Sequence, residues 1–68
     1  MNEETLNLSI RKFLKVVGIS SQREIEKAVM KAIADGLIKG GETFHASMTL
    51  QVAGLKLESK FEGEINLA

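Results

Sequence analysis

The stretch FHASMTLQVAGLKLESKFEGEINL, residues 44–67, decides the fold of this 68-residue chain. Apolar side chains occupy most alternate positions from Phe44 to Val52 and again from Leu55 to Leu67, with polar side chains between them. Two runs of period two around a glycine-containing dipeptide are typical of a β-hairpin. We therefore predict a long hairpin with a two-residue loop at Ala53-Gly54.

That loop fixes the predicted pairing of the two strands. Val52 pairs with Leu55, and the pairs that follow on the same side keep one face almost entirely apolar. On the opposite face, His45 pairs with Glu62. A slip of one residue would move every side chain of one strand to the wrong face, so the pattern constrains the pairing strongly. Ala-Gly is a weaker turn signal than Asn-Gly, which leaves a one-residue bulge open at this point.

A first helix is predicted from Glu3 to Val17. Asn2 has a side chain suited to capping its N-terminus, and two glutamates occupy the positive end of the helix dipole. Gly18 is expected to end the helix, because glycine tolerates the left-handed conformation of a C-terminal cap. The apolar positions at helical spacing are Leu6, Ile10, Phe13, Leu14 and Val17.

A second helix is predicted to begin close behind the first. Ser21 precedes Glu24 by three residues, which is the spacing of a capping box. Asp35-Gly36 ends the pattern, and the short turn of residues 18–20 makes the two helices neighbours in space. The apolar positions of this second segment are Ile25, Ala28, Val29, Ala32 and Ile33.

Together these elements predict an α+β fold with the order ααββ. A two-stranded hairpin is marginal in water, so its apolar face needs a cover. We therefore expect the two N-terminal helices to pack on one face of the long C-terminal antiparallel hairpin, as a single domain of residues 1–68. Both hairpin edges stay open, which favours pairing with another chain and a homodimer.

Composition excludes several classes of protein. Nine basic residues balance nine acidic ones, so no overall field attracts nucleic acid or a membrane. The chain has no cysteine and one histidine, which excludes a disulfide scaffold and leaves too few ligands for a zinc centre. No cofactor is expected. The acidic start is unlike a signal peptide, and no apolar run is long enough for a membrane span, so we expect a cytoplasmic protein.

A partly basic surface is the best candidate for binding a partner. The basic side chains sit opposite the apolar positions of the two predicted helices, with two apolar side chains among them. Such a surface suits an acidic protein or phosphates. In a chain with no net charge, however, a solvated polar face is the commoner explanation. The candidate residues are Leu8, Arg11, Lys12, Lys15, Arg23, Lys27, Met30 and Lys31.

Nucleic-acid binding and catalysis both find little support. Two helices, a short turn and a hairpin suggest a winged helix, but the apolar anchors expected on its second helix fall at Glu24 and Lys27, which are charged. There is no Trp or Tyr to stack on single-stranded bases. His45, Glu62 and Ser47 suggest a hydrolase set, but a flat exposed hairpin offers no pocket or oxyanion hole. We therefore expect no enzyme.

The chain resembles a family of short bacterial proteins, about 70 residues long, of unknown function. The resemblance implies a free-standing, soluble bacterial protein, and it carries over no catalytic or binding residue. It rests on these segments: Met1-Asn2-Glu3, Ser9-Ile10-Arg11-Lys12-Phe13-Leu14, Gly18, Ser21-Gln22-Arg23-Glu24-Ile25-Glu26-Lys27-Ala28, Ala34-Asp35-Gly36, Met48-Thr49-Leu50, Ala53-Gly54-Leu55 and Gly63-Glu64-Ile65.

The sequence favours a small non-enzymatic interaction or accessory module. Its partner is an unidentified protein, and self-association through a hairpin edge is expected. The alternative is a weak nucleic-acid-binding protein that uses the basic face of the helix pair.

Overall fold

The computed structural model describes all residues, 1–68, and divides them into two compact units, Met1–Leu37 and Ile38–Ala68. The first unit contains one long helix, α1, Glu3–Ala34. The second contains strand β1, Thr43–Val52, and strand β2, Leu57–Asn66, joined by a short 3₁₀ turn. The predicted α+β class and the antiparallel hairpin are confirmed, whereas the prediction of two helices is wrong.

The N-terminus of α1 forms as the sequence predicts. Asn2 has an extended backbone, and its side-chain Oδ1 accepts a hydrogen bond from the backbone N–H of Thr5 at 3.1 Å. Glu3 and Glu4 occupy the first turn, where the helix dipole favours negative charge. The cap satisfies one of the four N–H groups that a helix start leaves without a partner.

The C-terminus of α1 also lies where Asp35-Gly36 predicts it. Gly36 has a φ of +73°, the left-handed conformation that favours glycine. The N–H of Leu37 donates to the carbonyl of Ala32 at 2.9 Å, and the N–H of Gly36 donates to that of Ile33 at 3.1 Å. These two bonds together form a Schellman motif, which satisfies carbonyls that the helix end would otherwise leave unpaired.

Between these ends α1 is continuous through Gly18, which corrects the predicted break after Val17. A glycine inside a helix costs only about 1 kcal/mol relative to alanine. Ending one helix and starting another costs more, because it needs a new nucleus and leaves further N–H and C=O groups unpaired. The sequence has no proline to force the break. One helix of 32 residues therefore replaces two.

The predicted capping box at Ser21 and Glu24 is likewise absent. Both residues lie inside α1, where residues three or four apart are neighbours on the helix surface. Glu24 pairs with Lys27 instead, with 3.8 Å between Oε1 and Nζ. Nearby, Gln22 donates to Glu26 at 2.9 Å across one turn. The spacing of a capping box thus equals that of an ordinary side-chain pair within a helix.

With α1 continuous, most positions of the two predicted apolar patterns fall in one line, which we call the stripe. Val29 and Ile33 of the second pattern lie beside it, next to Ile25. Its positions repeat every 11 residues, because 11 residues make about three turns. Leu6, Val17 and Ala28 form one such series, and Leu14 and Ile25 form another. The stripe consists of Leu6, Ile10, Phe13, Leu14, Val17, Ser21, Ile25, Ala28 and Ala32.

The hairpin forms, but its pairing differs from the predicted one by two residues. Val52 pairs with Leu57 and not with Leu55. The connection is a four-residue turn, in which the N–H of Lys56 donates to the carbonyl of Ala53 at 3.1 Å. Lys56 itself has a φ of +53°, the left-handed conformation. Leu55 therefore lies in the turn, with 75% of its surface exposed, and does not join the apolar face.

Because the shift is an even number of residues, the predicted faces survive. The polar face is joined by Gln51, which donates to Glu58 at 3.0 Å, and by Thr43, which donates to Asn66 at 2.9 Å. The apolar face of the hairpin consists of Phe44, Ala46, Met48, Leu50 and Val52 on β1 and Leu57, Ser59, Phe61, Gly63 and Ile65 on β2.

No residue of the chain is buried. The stripe and the apolar face of the hairpin are both accessible. Phe13 is 53% exposed and Phe61 is 59% exposed. In addition, α1 falls short of the sustained apolar character that a bilayer-crossing helix requires.

Replacing Gly18 tests the continuous helix. A Cβ added at Gly18 meets nothing within 4 Å, so Gly18→Ala should raise the free energy of unfolding by about 0.5–1 kcal/mol. Urea unfolding followed by circular dichroism measures the change.

Gly36→Ala is the matched control, because it forces alanine into the left-handed conformation at the end of the same helix. It should lower the free energy of unfolding by about 1–2 kcal/mol. A Gly18→Ala variant that is destabilised like Gly36→Ala would restore the two-helix interpretation.

Candidate interaction surfaces

All eight residues of the predicted binding patch lie on the single helix α1. Lys12 and Arg23 are about three full turns apart, so they share one side of the helix with Leu8, Lys15 and Met30. Lys27 lies at the margin of this side. Arg11 and Lys31 lie on opposite sides of α1, because they are about five and a half turns apart.

Carboxylates reduce the positive charge of this patch. Lys31 donates to Asp35 at 2.8 Å, and Lys27 lies 3.8 Å from Glu24. Arg23, Lys27 and Met30 line a shallow, open depression together with Glu26. The surface is therefore mixed in charge, which weakens the case for phosphate binding, since phosphates need several unopposed cations.

Leu8 and Met30 were predicted on this side of α1, but sequence reasoning missed two further apolar members, Val16 and Ile19. Ile19 was expected in a turn between two helices, but in the continuous helix it lies on the side of Leu8 and Met30, with Val16 beside them. Leu8 and Met30 are 65% and 67% exposed. Their helical spacing was the available signal, hidden by the predicted break at Gly18. We call Leu8, Val16, Ile19 and Met30 the minor apolar side.

The two edges of the hairpin differ in charge. Leu67 donates its N–H to the carbonyl of Glu42 at 3.0 Å, which sets the alternation of the ladder. Even-numbered residues of β1 and odd-numbered residues of β2 direct their backbone N–H and C=O groups toward the other strand. Odd-numbered residues of β1 and even-numbered residues of β2 direct these groups toward the free edges of the hairpin. At the edge of β1 these are Thr43, His45, Ser47, Thr49 and Gln51; at the edge of β2 they are Glu58, Lys60, Glu62, Glu64 and Asn66.

His45 lies on the polar face of the hairpin, among carboxylates. Glu64 is directly opposite it in the ladder, whereas the predicted partner was Glu62. The contact with Glu62 nevertheless forms along the diagonal, with 3.3 Å between His45 Nε2 and Glu62 Oε1. Lys60 Nζ lies 3.8 Å from the same Oε1. These side chains are exposed and do not form a group that could hold a metal ion.

Glu42 organises the loop that leads into β1. Its carboxylate accepts the backbone N–H groups of Lys39 and Gly40, each at 2.8 Å. Gly40 has a φ of +112°, which lets the backbone turn both donors toward the same side chain. These hydrogen bonds lower the pKa of Glu42 below its ordinary value because they favour the charged form. The hydrogen bond from Lys39 has the largest effect.

The lowered pKa predicts a pH-dependent contribution of Glu42 to stability. Above the pKa of the unfolded chain the contribution is complete, and it is lost as the pH falls through the lower pKa of the folded state. The stability difference between the wild type and Glu42→Gln should thus be largest at neutral pH and shrink in acid. Urea unfolding at several pH values measures this difference.

An NMR titration of the Glu42 carboxyl provides the direct check. Its midpoint should lie below that of an ordinary glutamate. A midpoint at or above the ordinary value would contradict the loop geometry.

The observed features define a small α+β chain with one helix, one hairpin and exposed apolar faces. A model of a family of unknown function, DUF6494, matches residues 1–68, the full length of the chain. The chain belongs to this family, which confirms the resemblance drawn from its motifs. No curated protein and no solved structure matches it significantly.

Proposed function

We propose that the protein is a small non-enzymatic interaction module that self-associates through the free edge of β1. Its partner in this association is a second copy of the same chain. The proposal is supported by the exposed apolar side chains and by the different charges at the two hairpin edges.

The exposed apolar side chains carry the proposal. Eighteen large hydrophobic side chains are exposed, among them Met48 and Phe61 on the apolar face of the hairpin, at 45% and 59%. Contiguous exposed apolar surface of this kind is typical of a site that associates with another chain. Homodimers bury such apolar surface between their subunits.

The edge of β1 is better suited to pairing than the edge of β2. Native sheets protect a free edge with charged side chains, which discourage the approach of another strand. The edge of β2 has four such residues, whereas the edge of β1 has none apart from His45. Two β1 strands related by a two-fold axis pair antiparallel and form a continuous four-stranded sheet. The uncharged threonine, serine and glutamine side chains then meet without like-charge repulsion.

The proposed absence of catalysis is supported by the setting of the titratable side chains. His45 and Glu62 lie on an open face, and the depression beside Met30 is shallow. General acid–base catalysis needs such groups converging on an enclosed substrate.

Sedimentation of the wild type and two proline variants tests the proposal. Ser47 and Glu62 are paired across the ladder, and both turn their N–H groups outward. Proline at either position spares the bonds within the hairpin but removes one outward donor. The wild type should sediment as a dimer, Ser47→Pro should raise its dissociation constant at least about tenfold, and Glu62→Pro should change it little.

Ser47 lies near the middle of β1, so it falls within the paired stretch in any register with substantial overlap. Circular dichroism checks that both variants retain the hairpin. A wild type that stays monomeric at high concentration overturns the proposal. Equal weakening by the two variants would show that β1 is not the edge used.

A further inference from the structure

The free edge of β1 presents backbone groups only at alternate residues. Thr43, His45, Ser47, Thr49 and Gln51 direct their N–H and C=O groups away from β2, whereas the residues between them bond to β2. A second strand can therefore bond only to these five positions. They are spaced evenly about Ser47, with two on each side of it.

This alternation limits how two copies of β1 can pair. In an antiparallel pair, residues that bond to each other lie directly opposite, so an odd-numbered residue of one β1 always meets an odd-numbered residue of the other. Residues directly opposite point their side chains to the same side of the sheet. The even-numbered residues, which form the apolar face, therefore meet each other as well. The apolar faces of the two hairpins lie on the same side in every such pairing.

We propose that the two β1 strands pair with the two-fold axis at Ser47, so that the two apolar faces join into one face of a four-stranded sheet. The proposal rests on the self-association through β1 proposed above and assigns the residue contacts at that edge. Ser47 faces the partner's Ser47, and His45 faces the partner's Thr49. Thr43 faces the partner's Gln51. Each outward residue of one strand then bonds to an outward residue of the other.

The same axis brings apolar side chains of the two copies together. Phe44 faces the partner's Leu50, and Ala46 faces the partner's Met48. These residues form the closer, non-hydrogen-bonded pairs of the ladder, with about 4.5 Å between their Cα atoms. Phe44 is 37% exposed and Met48 is 45% exposed in the single chain. Pairing therefore removes apolar surface from water beside the new hydrogen bonds.

Moving the axis by one residue, to Met48, gives the nearest alternative register. The length of overlap is the same, but Thr43 then lies level with the partner's Ala53, which belongs to the 3₁₀ turn. The pair as a whole therefore forms two hydrogen bonds fewer. In exchange it gains one apolar pair, because Val52 then meets the partner's Phe44. A cross-strand apolar pair stabilises a sheet no more than a single hydrogen bond does, so the axis at Ser47 is favoured.

The favoured register leaves Val52 outside the paired stretch. It lies at the end of β1, level with the partner's Glu42. The carboxylate of Glu42 accepts the N–H groups of Lys39 and Gly40 in its own loop. Val52 also keeps its pairing with Leu57 within the hairpin.

Single-cysteine variants test the axis, because the wild type has no cysteine. Ser47→Cys should form a disulfide with its own copy under mild oxidation. Opposed, hydrogen-bonded residues have Cα atoms about 5.5 Å apart, within the range of about 4.4–6.8 Å that a disulfide spans. Non-reducing gel electrophoresis measures the yield.

Thr49→Cys is the matched control, because Thr49 is exposed on the same face two residues away. In the proposed register the two copies of Thr49 are four residues apart along the strands, roughly 13 Å, which is too far for a disulfide. Ser47→Cys should therefore give at least about tenfold more disulfide than Thr49→Cys. Mixing Thr49→Cys with His45→Cys should restore the disulfide, because these two positions face each other.

Two results would overturn the proposal. Equal yields from Ser47→Cys and Thr49→Cys would show that the strands do not pair about Ser47. A disulfide between Ser47→Cys and Thr49→Cys, with little from Ser47→Cys alone, would place the axis at Met48.

NMR of the wild type keeps the test informative if a cysteine weakens association. Labelled and unlabelled chains are mixed, so that only contacts between copies are detected. The α proton of Ala46 should show a contact with the α proton of the partner's Met48, since these residues form a close pair. A contact between the two copies of Met48, without that from Ala46, would overturn the proposal.

Sedimentation separates this proposal from that of self-association. A dimer that shows neither the Ser47→Cys disulfide nor the contact between Ala46 and Met48 keeps self-association and rejects the axis. A monomer under the same conditions rejects both.

Discussion

The uninterrupted ladder of backbone hydrogen bonds along α1 is the constraint on which the other features depend. It continues through Gly18 because one unfavourable residue disturbs a long helix less than two additional helix ends would. Continuity aligns most positions of the two short apolar patterns in one stripe. It also creates the minor apolar side, whose members lie on both sides of Gly18 in the sequence. The apolar surfaces that α1 presents are therefore consequences of the helix continuing through Gly18.

The sequence predicted the parts of this fold that depend on strict local rules. The cap at Asn2, the helix end at Asp35-Gly36 and the two faces of the hairpin all formed as expected. Each involves either a specific capping group or a period that tolerates no odd shift. These rules act over a few residues, so neighbouring residues suffice to predict them.

The errors came from signals that are compatible with two structures. A glycine followed by Ser21 and Glu24 is typical of a break with a new cap, but the same spacing suits residues inside one helix. The turn at Ala53-Gly54 has no strong turn signal, and the four-residue loop keeps the faces as well as a two-residue loop would. Alternation alone could not distinguish these pairings, because they differ by two residues. The predicted break at Gly18 also affected the basic patch, because it placed Arg11 and Lys31 on separate helices.

Lys56, at the tip of the hairpin, has a strained backbone conformation. It is the one residue other than glycine with a positive φ, and this conformation costs a lysine about 1 kcal/mol or more. Glycine or asparagine would occupy the same place with less strain. The tip thus holds a reserve of conformational energy that a single substitution could release. The neighbouring aliphatic side chain of Leu55 is exposed, so the tip combines a strained backbone with an accessible apolar side chain.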